Sequence, residues 1–83
     1  MNDKGIIEII ERGLKVNKGS LTVESSRENV GEWDSLGHLG ILIELDQSFS
    51  GKVAPIEEMA NANSVEKIIQ ILREHSLVNA EIV

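Results

Sequence analysis

The chain reads as an all-α protein, a four-helix bundle with a long loop between the first and second helices and a short third helix. Two amphipathic stretches predict its ends. Ile6, Ile7, Ile10 and Leu14 form one helical stripe, and Val65, Ile68, Ile69 and Leu72 form another at offsets 0, 3, 4 and 7. Between them, an apolar run from Leu36 to Phe49 follows an acid and a serine and closes on Ser50-Gly51-Lys52, a start and a stop of the kind helices use.

The first helix is expected over about Asp3 to Val16, with Asp3 as N-cap and Asn17-Lys18-Gly19-Ser20 ending it. Glu8, Glu11, Arg12 and Lys15 fall largely outside its apolar stripe. Residues 17–34 read as loop. A connection this long argues against such an assignment unless something holds it down, and Leu21, Val23, Val30 and Trp33 are the side chains available to do so.

The second helix is expected from about Ser35 to Phe49. Helical geometry puts Leu39, Ile41, Leu42, Leu45 and Phe49 on a broad core face, and gathers Leu36, Gly40 and Ile43 on the other side within about 60°. An apolar stripe turned away from the core suits docking. Pro55 fits the first position of a short third helix, about Pro55 to Asn61, carrying Ile56 and Met59. Asn63 or Ser64 can cap a fourth, about Ser64 to His75, and residues 76–83 read as a frayed tail.

Eighty-three residues allow one small domain, spanning 1–83. With no cysteine and only Trp33 and Phe49 aromatic, its core must be aliphatic and unstapled. Fourteen acids against 8 bases leave a net charge of −6. That disfavours nucleic acid and anionic membrane surfaces, and favours partners with basic patches. No apolar run approaches the roughly 20 residues of a transmembrane helix, and the N-terminus lacks a signal-peptide pattern. The expectation is a monomeric cytoplasmic protein without membrane insertion.

The chemistry centres on Trp33-Asp34-Ser35-Leu36. A serine at a helix start is exposed and rigidly placed, and the free amides and dipole there favour a phosphate, although Asp34 opposes it. Asp34 and Ser35 also serve simply as helix caps. His38 lies one turn after Ser35, so a Ser-His-Asp hydrolase is conceivable. Three such residues crowded onto one helical turn leave no evident substrate pocket, and no catalysis of its own is expected. His38 is expected to be a hydrogen-bonding residue facing the loop, and His75 to sit favourably at a helix C-terminus. Ile56 and Met59 are expected beneath the junction of the second and third helices, or else at the border of an apolar slot there. No calcium-loop pattern is present.

In context these residues resemble the acyl carrier protein family. Trp33-Asp34-Ser35-Leu36 looks like its attachment motif, and Leu39 to Phe49 like its second helix. Pro55-Ile56-Glu57-Glu58-Met59 resembles the short third helix, and Ser64-Val65-Glu66-Lys67-Ile68-Ile69 the fourth. Residues 3–16 fit the first by length and pattern.

The resemblance implies a 4'-phosphopantetheine arm esterified to Ser35 by a phosphopantetheinyl transferase, with Asp34 beside the attachment point and Leu36 anchoring the transferase. The arm would carry an acyl or aminoacyl group as a thioester between a loading ligase and downstream transferases or synthases with basic docking surfaces. Leu36, Gly40, Ile43, Glu44, Gln47, Glu57 and Glu58 would form the partner surface. One departure stands out. Gly37, His38 and Gly40 occupy the early second helix, where carriers of fatty acid synthesis place acids, and acids return only at Glu44 and Asp46. Glycine costs roughly 1 kcal/mol in a helix relative to alanine, which suggests close approach by a partner or by the arm. A specialised pathway is the better expectation: polyketide, non-ribosomal peptide, cell-surface polysaccharide or D-alanyl transfer. The Gly-Gly-His-Ser signature of many peptidyl carriers is absent. The alternative from another class is a small helical interaction module that binds through Leu36, Gly40 and Ile43 and bears no prosthetic group.

Overall fold

The computed structural model describes residues 2–78. Three α-helices, α1 (Asp3–Leu14), α2 (Ser35–Ser48) and α3 (Val65–Glu74), are joined by a long loop and by a 3-10 helix, Glu57–Asn61. The all-helical class holds; among the described residues there are three α-helices, and in place of the expected short third helix stands a single 3-10 segment. Pro55 lies in the turn before it rather than at its start. Ile56 precedes the segment without a side-chain cap, and such short, uncapped pieces favour the tighter helix. Among the described residues the strand-like pairing is confined to one antiparallel bridge, Ser26 to Ser64. No described helix is long and apolar enough to cross a membrane.

The helix ends explain the boundaries. Asn2, not Asp3, caps α1, its Oδ1 accepting the Gly5 N–H at 2.9 Å. Ser64 caps α3 by accepting from the Lys67 amide at 3.1 Å. All three α-helices close with the paired 6→1 and 5→2 hydrogen bonds of the Schellman motif. In α1 these are Val16 N–H to Glu11 O (3.1 Å) and Lys15 N–H to Arg12 O (3.2 Å). In α3 they are Leu77 N–H to Leu72 O (2.9 Å) and Ser76 N–H to Arg73 O (3.0 Å). The left-handed position falls on Lys15, Ser50 and Ser76, with φ of 61°, 57° and 59°, and not on glycine. Thus α1 ends two residues before Val16. At the end of α2 Ser50 takes the position expected of Gly51, which follows with φ 81°.

The core draws Ile6, Ile9, Ile10 and Leu14 from α1, Ile41 and Leu45 from α2, and five residues from α3. Ile9 belongs to it although the sequence stripe omits it, and Ile7 packs only at the edge. Residues 76–78 are not a frayed end: Val78 is buried and Leu77 packs against the core. The remainder of that expected tail, 79–83, lies outside the described residues.

α1 crosses α2 at Gly13 and Gly40, so closely that a Cβ on Gly13 would lie 2.6 Å from the Ile41 Cα. A Cβ on Gly40 would collide with the Gly13 carbonyl, and one on Gly37 with the Glu32 carbonyl. The close approach expected of a partner or of the arm is therefore made by the protein's own backbone. The expected core face of α2 is also corrected. Ile41 and Leu45 are fully buried and Leu42 and Phe49 half-buried, while Leu39 is 52% exposed. Leu39 stands about 40° around the helix from Ile43 but about 160° from Ile41. It therefore joins the outer face.

The loop 15–34 is a chain of turns held at several points. Leu21 and Trp33 are buried and Val30 packs at the edge, but Val23 is 44% exposed and anchors nothing. The main tether is Glu11, which is 3% exposed rather than solvated. Its Oε2 accepts the Gly19 and Leu21 amides at 2.9 and 3.0 Å. Midway along the loop Val65 N–H donates to Ser25 O at 3.0 Å, and Arg27 N–H to Asn63 O at 2.9 Å.

Candidate functional site

Ser35 is the first residue of α2, and its side chain is exposed. The cap is Asp34, in extended backbone, whose Oδ1 accepts the Gly37 N–H at 2.8 Å while its carbonyl accepts from His38 N–H at 2.8 Å. Because one residue supplies the cap, the neighbouring hydroxyl is not needed for it. Of the two cap candidates in the sequence, the structure thus assigns the task to Asp34.

The approach to Ser35 is immobilised from below. Trp33 is 2% exposed, and its backbone N–H donates to the Val30 carbonyl at 3.0 Å. Its indole Nε1 donates to His38 Nδ1 at 3.0 Å, and the two rings lie nearly parallel, 6.2 Å apart. His38 Nε2 lies 2.9 Å from the Met59 carbonyl. An indole N–H only donates and a carbonyl only accepts, so His38 carries its proton on Nε2. Both nitrogens are engaged away from Ser35, and the Ser-His-Asp arrangement is not assembled.

The sequence-predicted partner residues separate into distinct settings. Leu36 (77% exposed) and Ile43 (49%) face outward as expected, with Leu39 between them. Gly40 lies beneath this stripe in the contact with α1, where it serves packing. Glu44 pairs with Arg12 at 3.4 Å, and Glu58 with His75 at 2.8 Å, so these two acids have internal partners. Gln47 and Glu57 are exposed on opposite walls of a groove between α2 and the 3-10 segment. That groove, about 410 Å³, has an apolar floor of Leu42, Val53 and Ile56. Met59, in the same 3-10 segment as Glu57, is buried, 1% exposed. Asp46 holds its rim in place, Oδ1 accepting the Val53 and Ala54 amides at 3.1 and 2.7 Å.

A second groove, about 570 Å³, runs between α1 and α2 from Asp34 to Glu44, with Leu36, Leu39 and Ile43 on one side and Arg12 and Lys15 on the other. Sequence reasoning missed Leu39 and the two basic residues here. The helical angle of Leu39 was the signal available for the first; only the crossing of α1 over α2 brings the second pair into place. Among the described residues no three His, Asp or Glu side chains converge to hold a metal. No family model matches this chain, nor does any curated protein or solved structure.

Proposed function

We propose that the chain is a carrier protein bearing a 4'-phosphopantetheine arm on Ser35. The observation that carries this reading is an exposed serine hydroxyl at the first turn of α2, directly after a buried tryptophan and an aspartate that caps the helix by itself. In the modification, the Ser35 oxygen bonds to the pantetheine-bearing phosphorus of coenzyme A. The pyrophosphate bond breaks, adenosine 3',5'-bisphosphate leaves, and the hydroxyl proton passes to a base of the phosphopantetheinyl transferase. The free amides at the head of α2 favour the new phosphodiester electrostatically. The arm supplies a thiol for thioester transport, and tethering raises the cargo's effective concentration at each partner site. On this reading the protein performs no catalysis and acts as a monomer in the cytoplasm.

Partners are the transferase, a loading ligase and downstream transferases or synthases. The outer face of α2 supports docking through Leu36, Leu39 and Ile43. Glu57 is exposed at the groove opposite the neutral Gln47, and with a net charge of −6 it favours basic partner surfaces. The first two acids of α2 are occupied, Glu44 with Arg12 and Asp46 with the following loop. Apolar contact therefore carries more of the recognition than in a carrier read through early acids, which favours a specialised biosynthetic pathway over fatty acid synthesis. The groove beside Ile56 suits an apolar part of the cargo.

One observation favours a second reading. Three large apolar side chains exposed along a single helix face also suit an interaction module without a prosthetic group. Intact-mass spectrometry separates the two. Incubation with a broad-specificity phosphopantetheinyl transferase, coenzyme A and magnesium adds one phosphopantetheine to the native chain and none to Ser35→Ala. No gain in folded protein rejects the carrier reading and leaves the module.

A further inference from the structure

A continuous path of buried hydrogen bonds joins the approach to Ser35 with the wall of the α2/3-10 groove. At one end Trp33, two residues before Ser35, donates from its indole to His38 Nδ1 at 3.0 Å. At the other, His38 Nε2 donates to the carbonyl of Met59 at 2.9 Å. Trp33, His38 and Met59 are 2%, 5% and 1% exposed, so water has little access to replace either bond. A lost partner would leave a buried polar atom unsatisfied.

The two ends belong to different parts of the molecule. Met59 sits at the centre of the 3-10 segment, whose Glu57 and Ala60 line the groove. That segment has no side-chain cap at its start, so its placement depends on the contacts made from α2 and the core. Trp33 is the buried anchor of the loop that delivers Asp34 and Ser35 to the head of α2. The imidazole between them is a rigid plate with one acceptor and one donor at fixed separation. A displacement of the Met59 carbonyl must be followed by the ring or break the bond, and the same holds at the indole.

We infer that His38 is a positioning residue that couples the groove wall to the attachment loop. Movement of the 3-10 segment passes through the Met59 carbonyl and the His38 ring to the Trp33 indole. On the carrier reading, filling of the groove is thereby sensed beside Ser35. That consequence rests on the proposed function, whereas the coupling does not.

The test uses the unmodified full chain labelled with 15N. Trp33 is the sole tryptophan, so its indole resonance needs no assignment. Ala60→Leu adds bulk to the groove wall far from the indole in sequence. The expected result is a shift of the Trp33 indole resonance when His38 is native. That shift is lost in His38→Gln, whose amide N–H can stand where Nε2 donates to Met59 but which has no atom at the Nδ1 position to accept from Trp33. It is lost equally in His38→Asn, which retains an acceptor for Trp33 but no donor for Met59. Such a double perturbation isolates coupling from the effect of either change alone. A silent indole in Ala60→Leu overturns the inference, and needs no substitution at His38. So does an undiminished shift in either folded His38 variant. Failure of Ser35 modification would reject the carrier reading and leave the indole result standing; a silent indole would do the reverse.

Discussion

Gly13 and Gly40 touch backbone to backbone where α1 crosses α2: a Cβ on Gly13 would lie 2.6 Å from the Ile41 Cα, and one on Gly40 would strike the Gly13 carbonyl oxygen. Alanine at position 40 improves intrinsic helix propensity by about 1 kcal/mol. Overpacking of a closed contact nevertheless makes Gly40→Ala a net loss of about 1–3 kcal/mol. Gly31→Ala is the control, since a Cβ there meets nothing within 4 Å. Urea unfolding of both variants measures the contrast, and equal midpoints would refute a backbone contact.

Glu11 is the tether whose loss the loop should feel most. Glu11→Ala removes the acceptor of two amides, Gly19 and Leu21, and is expected to cost about 2–3 kcal/mol. Glu8, one turn away, makes an exposed pair with Lys18 at 3.6 Å, and Glu8→Ala should cost at most about 1 kcal/mol. Denaturant titration distinguishes them, and amide exchange at Gly19 and Leu21 should accelerate only in the Glu11 variant.

Left-handed backbone at Lys15 and Ser76 carries strain that glycine relieves. With φ near 60° at both, Lys15→Gly and Ser76→Gly are each expected to raise stability by about 0.5–1 kcal/mol, strain relief exceeding glycine's entropic cost. Gly51, at φ 81°, should respond in the opposite sense, with Gly51→Ala losing about 1–2 kcal/mol. Thermal unfolding reads the sign directly.

The two faces of α2 should separate stability from recognition. Ile41 is fully buried, and Ile41→Ala should cost about 2–5 kcal/mol. Leu39→Glu, on the outer face, should change stability by no more than about 0.5 kcal/mol. On the carrier reading it also slows transferase modification of Ser35 by about tenfold, the loss of roughly 1.4 kcal/mol of docking. Unfolding curves and a modification time course measure the two effects independently.

Where a helix buries one stripe and solvates the rest, position along the chain is enough to assign it. Val65, Ile68, Ile69 and Leu72 of α3 are all in the core, as their spacing predicts. α2 is apolar on more than one side, so periodicity cannot rank its faces, and Leu39 was misplaced for that reason. Glu11 shows a complementary limit. A carboxylate on a helix reads as solvated until a loop eight to ten residues on brings two amides to it.

The candidate site divides along the same line. Sequence alone determined the all-helical class, the helix start at Asp34-Ser35 and the exposure of Ser35, because caps and apolar spacing are local properties of the chain. The tertiary structure decided that Gly37 and Gly40 serve internal packing, that His38 turns inward between Trp33 and Met59, and that Arg12 and His75 engage acids on other elements. It also reduced the short third helix to a 3-10 segment. Each of these depends on which backbones and side chains meet across the fold, and such meetings are set by long-range packing that no local pattern encodes.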